Sequence, residues 1–171
     1  MNTAKKPPEI EIPSQSEQPT QRFILAGLER LTFVFPSTIV AGISMIERSQ
    51  ILALPFYDPA VLGVIHQQGQ IMPLISLRQF VGVTAMLSTG SLTVIHLSDA
   101  AGNLAGIGLV VDRTLGMRSQ DQLPPDLFST DSLPNTTNSV QKMRLFRPEI
   151  FDSRLWQPHR WQSGALSKGD I

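Results

Sequence analysis

The run Val61-Leu62-Gly63-Val64-Ile65-His66-Gln67-Gln68-Gly69-Gln70-Ile71-Met72-Pro73-Leu74-Ile75-Ser76-Leu77 constrains this chain more than any other stretch. Two apolar, β-branched runs flank the polar turn His66-Gln67-Gln68-Gly69-Gln70, which predicts a β-hairpin or a tight crossover. Pro73 lies inside the second run. Proline donates no backbone hydrogen bond, so it suits an edge strand or a bulge rather than the middle of a sheet. A sheet edge in mid-domain is a natural docking surface, and the rest of the chain reads as its support.

With 171 residues, the chain is long enough for one domain with a sizeable core plus tails. Fourteen basic and fourteen acidic residues cancel, which removes the electrostatic case for nucleic acid or an acidic membrane surface. There is no cysteine, hence no disulfide, thiol nucleophile or thiolate metal site. No apolar run approaches the ~20 residues of a membrane span, and the N-terminus has no apolar signal core. A cytoplasmic protein without direct membrane insertion is the expectation.

Residues 1–21 are rich in Pro, Gln, Ser, Glu and Lys and are expected to form a disordered arm. Arg22–Leu28 and Leu31–Phe35 read as strands around a Glu29-Arg30 turn. Thr38–Arg48 fits strand or helix by propensity, and its Val and Ile with Gly42 inside favour strand. Ile51–Leu54 is extended ahead of Pro55, and residues 56–60 form a turn. After the hairpin, Ser76 can cap a short helix over Leu77–Val81 that Gly82 stops. Residues 84–90 are a polar loop. Ser91–Leu97, Leu104–Val111 and a continuation through Leu115–Arg118 past a bulge read as strands. Residues 119–138 are a surface excursion, Val140–Phe146 another strand, and residues 147–171 are mixed. About nine short strands spaced near ten residues favour a mostly antiparallel β sandwich or a pair of small barrels.

Catalytic chemistry is hard to find. His66, His96 and His159 are far apart and none has metal-ligand spacing to another His or carboxylate. Walker, dinucleotide and nucleophile-elbow motifs are absent. Gly106-Ile107-Gly108 lacks a third glycine and reads as strand. Asp112-Arg113 fits a turn-closing role, because neighbours on a strand point to opposite faces. Trp156 and Trp161 fit packing against the core; a partner anchor is the alternative. No enzyme, metal or cofactor is expected, and a binding module is.

Val61–Arg78 resembles the hairpin of CheW-like domains, whose family form is roughly LGV-I-N-L-R-G-x-I-x-P-V-I-D-L-R. Leu54-Pro55 matches the approach segment, Phe80-Val81-Gly82-Val83 the short helix and its stop, and Gly106–Arg113 the later G-L-V-V-D strand. Gln122-Leu123-Pro124-Pro125 resembles the proline-rich loop after it. The resemblance covers about residues 21–146. It implies a mostly β fold of two five-stranded, SH3-like β-barrel subdomains. The expected division is an arm at 1–21, the domain at 22–162 and a flexible tail at 163–171.

The implied role is an adaptor coupling the cytoplasmic tip of a methyl-accepting chemoreceptor to a CheA-like histidine kinase. Chemotaxis, pilus-driven twitching and phototaxis are its known settings. Family docking surfaces use strand edges and the groove between subdomains, which places partner contacts at Ser44, Leu62, Gly63, His66, Gln67, Gln68, Gly69 and Ile71. This chain departs from the pattern: Gln68 replaces the turn arginine, His66 the asparagine and Ser76 the helix-opening aspartate. Ile43 or Ser44 stands near a frequent glutamate. A charge-assisted hydrogen bond is about twice as strong as a neutral one, so Gln68 weakens or retunes that contact. A regulator or inhibitor with exchanged partners is the alternative. If the edge is the interface, Gly63→Arg or Gly69→Glu should impair binding more than folding.

Overall fold

The computed structural model describes residues 20–67, 69–83, 90–128 and 142–158. Outside them lie the arm apart from Thr20 and Gln21, the tail at 163–171, Gln68, His159, Trp161, residues 84–89 and residues 129–138 of the 119–138 excursion. In chain order the strands are β1 (Arg22–Leu28), β2 (Leu31–Pro36), β3 (Val40–Glu47), β4 (Val61–Gln67) and β5 (Gln70–Ser76). A short helix α1 (Leu77–Phe80) follows. Then come β6 (Ser91–Leu97), β7 (Gly108–Val111), β8 (Arg113–Ser119) and β9 (Lys142–Leu145). Single-turn 3-10 segments fill several of the connections.

Two sheets result. The first has the order β8-β1-β2-β9 and the second β3-β6-β7-β5-β4. Phe23 to Leu28 are buried without a break, as are Thr32 to Phe35. An unbroken buried run means that both faces of a strand are covered. Period-2 alternation then divides the side chains between two cores. Phe23, Leu25 and Val34 pack with Leu123 on one side of the first sheet. Ile24, Ala26, Leu28, Phe33 and Phe35 face the other way, meeting Ile75, Ile95, Leu97, Leu109 and Val111 of the second sheet.

A third cluster belongs to the second sheet alone. Ile46 of β3 and Ile65 of β4, the two outermost strands, share it with Met72, Leu74, Leu92, Val94 and Val110. The sheet therefore curls around its own core, although no ladder joins β3 to β4 among the described residues. The chain's C-terminal part seals the space between the sheets. Phe146 stacks on Phe35 at 4.4 Å and Phe151 on Phe80 at 4.0 Å. Trp156 packs partly buried against the same core.

The mostly β architecture with few short helices is as expected, with four and five strands in the two sheets among the described residues. Thr38–Arg48 resolves into a 3-10 turn at Ser37–Ile39 followed by β3. Ser76 caps α1, its Oγ accepting from Gln79 N at 3.3 Å. Two details differ. Pairing is mostly antiparallel, as expected, but β2–β9 and β5–β7 are parallel. Leu104–Ile107 is not strand: a 3-10 segment over Asp99–Leu104 and a turn at Ala105–Gly106 delay β7 until Gly108. Local bonds such as Ala105 N to Gly102 O (3.0 Å) and Ile107 N to Leu104 O (3.2 Å) satisfy that backbone in place of a ladder. Among the described residues no helix is long and apolar enough to cross a membrane.

Candidate functional site: the outer face of the hairpin

The β4–β5 hairpin forms in the register that its alternation demands. Ile65 pairs with Met72 and Gly63 with Leu74, which turns Ile65, Met72 and Leu74 into the core of the second sheet. The intervening pairs, Val64 with Pro73 and His66 with Ile71, face outward. Leu52 adds a third position to this row through a bridge to Val64, with N–O distances of 2.8 and 2.9 Å. Ile71 is 70% exposed and Leu52 68%. The outward surface is therefore apolar at several points, with His66 exposed among them. Isolated exposed apolar residues need no explanation, but a contiguous set does.

Pro73 requires a refinement. β5 is not an edge strand, since it lies between β4 and β7. Its pairing with β7 begins only at Leu74, however, so Gln70–Pro73 is bonded on one side alone. Proline thus sits where the open edge of β5 ends, and no ladder bond is lost.

Gly63 is buried beneath this surface, with φ +139. A Cβ there would stand 2.2 Å from Leu52 O and 2.9 Å from Ala53 Cα. Real Cβ atoms do not approach backbone so closely, so glycine is what lets the Leu52 segment lie against β4. The expectation that Gly63→Arg would spare folding is therefore reversed. Leu62 occupies the register shift between Val61 and Gly63 and packs half-buried against the second sheet's core. Gly69 is different: it is exposed at φ +79, and a Cβ would meet nothing within 4 Å. Gln67 is half-buried, with Oε1 buried and accepting no hydrogen bond among the described residues. Gln68, the main departure from the family pattern, lies outside the described residues.

Ser44 is not brought to the hairpin. It lies on β3, at the opposite edge of the second sheet. Its Oγ is 2.6 Å from His96 Nε2 of β6, across the ladder. Burial lowers the His96 pKa from its ordinary value, and the imidazole shares this hydrogen bond with the Ser44 hydroxyl. Beside Ser44, Ile43 and Met45 are 45% and 71% exposed, which gives β3 an apolar strip of its own.

One constellation was missed in the sequence. Arg78 of α1 is 8% exposed. Its Nε donates to Asp112 Oδ1 at 3.1 Å, one terminal nitrogen donates to Asp112 Oδ2, and the other donates to Glu29 Oε1 at 2.8 Å. Glu29 N donates to Asp112 Oδ2 at 3.0 Å. Asp112 thus has the turn-closing role expected of it, and Arg78 ties the β1–β2 turn of one sheet to the β7–β8 turn. The hydrogen bond to Asp112, opposed by desolvation, raises the Arg78 pKa. Its signal was available: Arg78 and Asp112 end the two segments with the strongest family pattern. Among the described residues no group of His, Asp or Glu is placed to hold a metal ion.

The family model for the CheW-like domain matches residues 22–143. Among solved structures, the scaffolding protein TtCheW from Thermoanaerobacter tengcongensis is similar at 16% identity and a TM-score of 0.47. That similarity covers 58% of this chain and 65% of the other, less than two thirds of its length. No curated protein matches the sequence.

Proposed function

The chain belongs to the CheW-like domain family, and from that premise we propose that it is a non-catalytic adaptor in chemotaxis-type signalling. It couples the cytoplasmic tip of a chemoreceptor to a CheA-type histidine kinase. The family match over residues 22–143 is the observation that carries this reading. In the same reading each sheet is one of the family's two barrel subdomains, and Arg78, Asp112 and Glu29 fix their relative position.

The docking surface we assign is the outer face of the β4–β5 hairpin. Ile71 and His66 present side chains, and exposed Gly69 lets a partner approach the backbone closely. Gln67, half-buried, flanks the tip. Gln68, between Gln67 and Gly69 in the sequence, is assigned to the same surface. Leu62 and Gly63 support the surface from below. Ile43 and Met45 form a separate exposed strip on β3, while Ser44 between them points to the other face, toward His96, and would meet a partner only along the β3 edge.

A second reading, a regulator that has exchanged partners, is favoured by one observation. Where the family often carries a glutamate on its third strand, Ser44 is bonded to His96 and presents no charge. Co-purification separates the two readings. Recovery of a CheA-type kinase or a receptor tip at micromolar concentration supports the adaptor. Recovery of neither, with a different protein bound, supports the regulator.

A further inference from the structure

β8 ends the first sheet, and β1 is its single strand partner among the described residues. Arg113 to Arg118 are all exposed, including Leu115 at 37% and Met117 at 50%. The register shift opposite Leu25 and Ala26 interrupts β8 near Leu115, and Ser119 N is taken by Gln122 Oε1 at 3.2 Å. Leu115 to Arg118 is the stretch of edge that remains. Its chemistry alternates. Met117 pairs with Ile24 and Arg118 with Phe23, so these two point to opposite faces, while Leu115, in the bulge, lies beside Arg113 over Gly27. Arg22, next to Ser119 in the ladder, and Arg113 are further exposed cations, and β8 contains no acidic residue.

A second copy is a poor occupant. Two β8 strands paired antiparallel about the Leu115–Gly116 midpoint would set Arg113 opposite Arg118 twice, and like charges directly opposed are destabilising. The complementary pattern lies in the chain's own arm. Glu9-Ile10-Glu11-Ile12 alternates acidic and β-branched residues, and Pro8 and Pro13 bracket it. Residues 13–21 separate it from β1. Nine residues reach about 30 Å when extended, whereas two strand spacings need about 10 Å.

We propose that the open edge of β8 is the docking site for residues 9–12 of this same chain, taken up as an added strand. Either strand direction places an isoleucine beside Met117 and a glutamate beside Arg118. The arm then covers an edge that would otherwise be a template for aggregation.

The chain lacks cysteine, so engineered pairs in the full chain report directly. The test is the rate of disulfide formation in the double variant Ile10→Cys/Met117→Cys, against the control Ile10→Cys/Met45→Cys. Met45 is also exposed, on a different edge strand. The proposal expects a monomeric cross-link in the Met117 pair at least about tenfold faster than in the control, since docking raises effective concentration beyond that of a free tether. Adding Arg118→Glu should slow it, and adding Glu9→Arg and Glu11→Arg to that variant should restore it. Equal rates in the two pairs, or a cross-link found only between molecules, would overturn the proposal. So would a rate indifferent to both charge changes while the urea midpoint stays constant.

Discussion

Replacing Gly63 by alanine should unfold part of the hairpin's support rather than modify a contact surface. The added Cβ would lie 2.2 Å from Leu52 O and 2.8 Å from Leu52 C. Both are backbone atoms, so no side-chain rotation relieves the clash, and the Leu52 segment has to move off β4. That movement breaks the two bridge hydrogen bonds, Leu52 N to Val64 O and Val64 N to Leu52 O, each worth about 0.5–1.5 kcal/mol. Alanine at φ +139 adds backbone strain of about 1–3 kcal/mol. The sum is roughly 2–6 kcal/mol, a large share of the ~5–15 kcal/mol that stabilises an ordinary domain. Gly69→Ala is the matched control: it has positive φ and open space, and should cost only about 1–2 kcal/mol. Urea unfolding of both variants measures the difference as a shift in midpoint at constant m. A Gly63→Ala midpoint within error of the Gly69→Ala midpoint would refute the close-approach argument.

Other substitutions follow from the same geometry. Arg78→Met removes three hydrogen bonds to two carboxylates; because Glu29 and Asp112 are partly exposed and rehydrate, the loss should be about 2–3 kcal/mol by urea unfolding. Leu109→Ala empties a fully buried site between the sheets and should cost about 2–5 kcal/mol, read as a lower urea midpoint. His96 has a folded pKa below 6.5, so on acidification the unfolded chain takes up the proton first. Its contribution to stability is present above pH ~6.5 and is lost as pH falls through the folded pKa. Urea midpoints from pH 8 to pH 5 should therefore decline less steeply in His96→Gln than in the parent chain.

Much of the fold can be read from local pattern, because the forces that write it are local. The hairpin at Val61–Ser76 follows from two apolar runs around a glycine-bearing turn, and the doubly buried β1 and β2 follow from unbroken apolar runs. What the sequence conceals depends on partners far along the chain. Gly63 looks like a surface glycine until Leu52 is seen against it. Arg78 and Asp112 are separately unremarkable until two turns from different strands converge. The Ser44–His96 bond depends on the β3–β6 register that sets Gly42 opposite His96 and Ser44 opposite Val94, which no propensity announces. The parallel pairing of β5 with β7 likewise depends on where the Ala105–Gly106 turn releases the chain. The candidate site was legible as a hairpin, but not in its division into outward residues such as Ile71 and supporting residues such as Gly63.

The most direct test of the adaptor account is the affinity of the full chain for a CheA-type kinase and for a receptor cytoplasmic tip, measured with the parent and with Ile71→Glu. Ile71 is 70% exposed on the hairpin's outer face, so the substitution should leave the urea midpoint unchanged. The account predicts binding by the parent and at least about tenfold weaker binding by the variant, or ~1.4 kcal/mol. Equal affinity in the two proteins, or no binding by the parent, would contradict it.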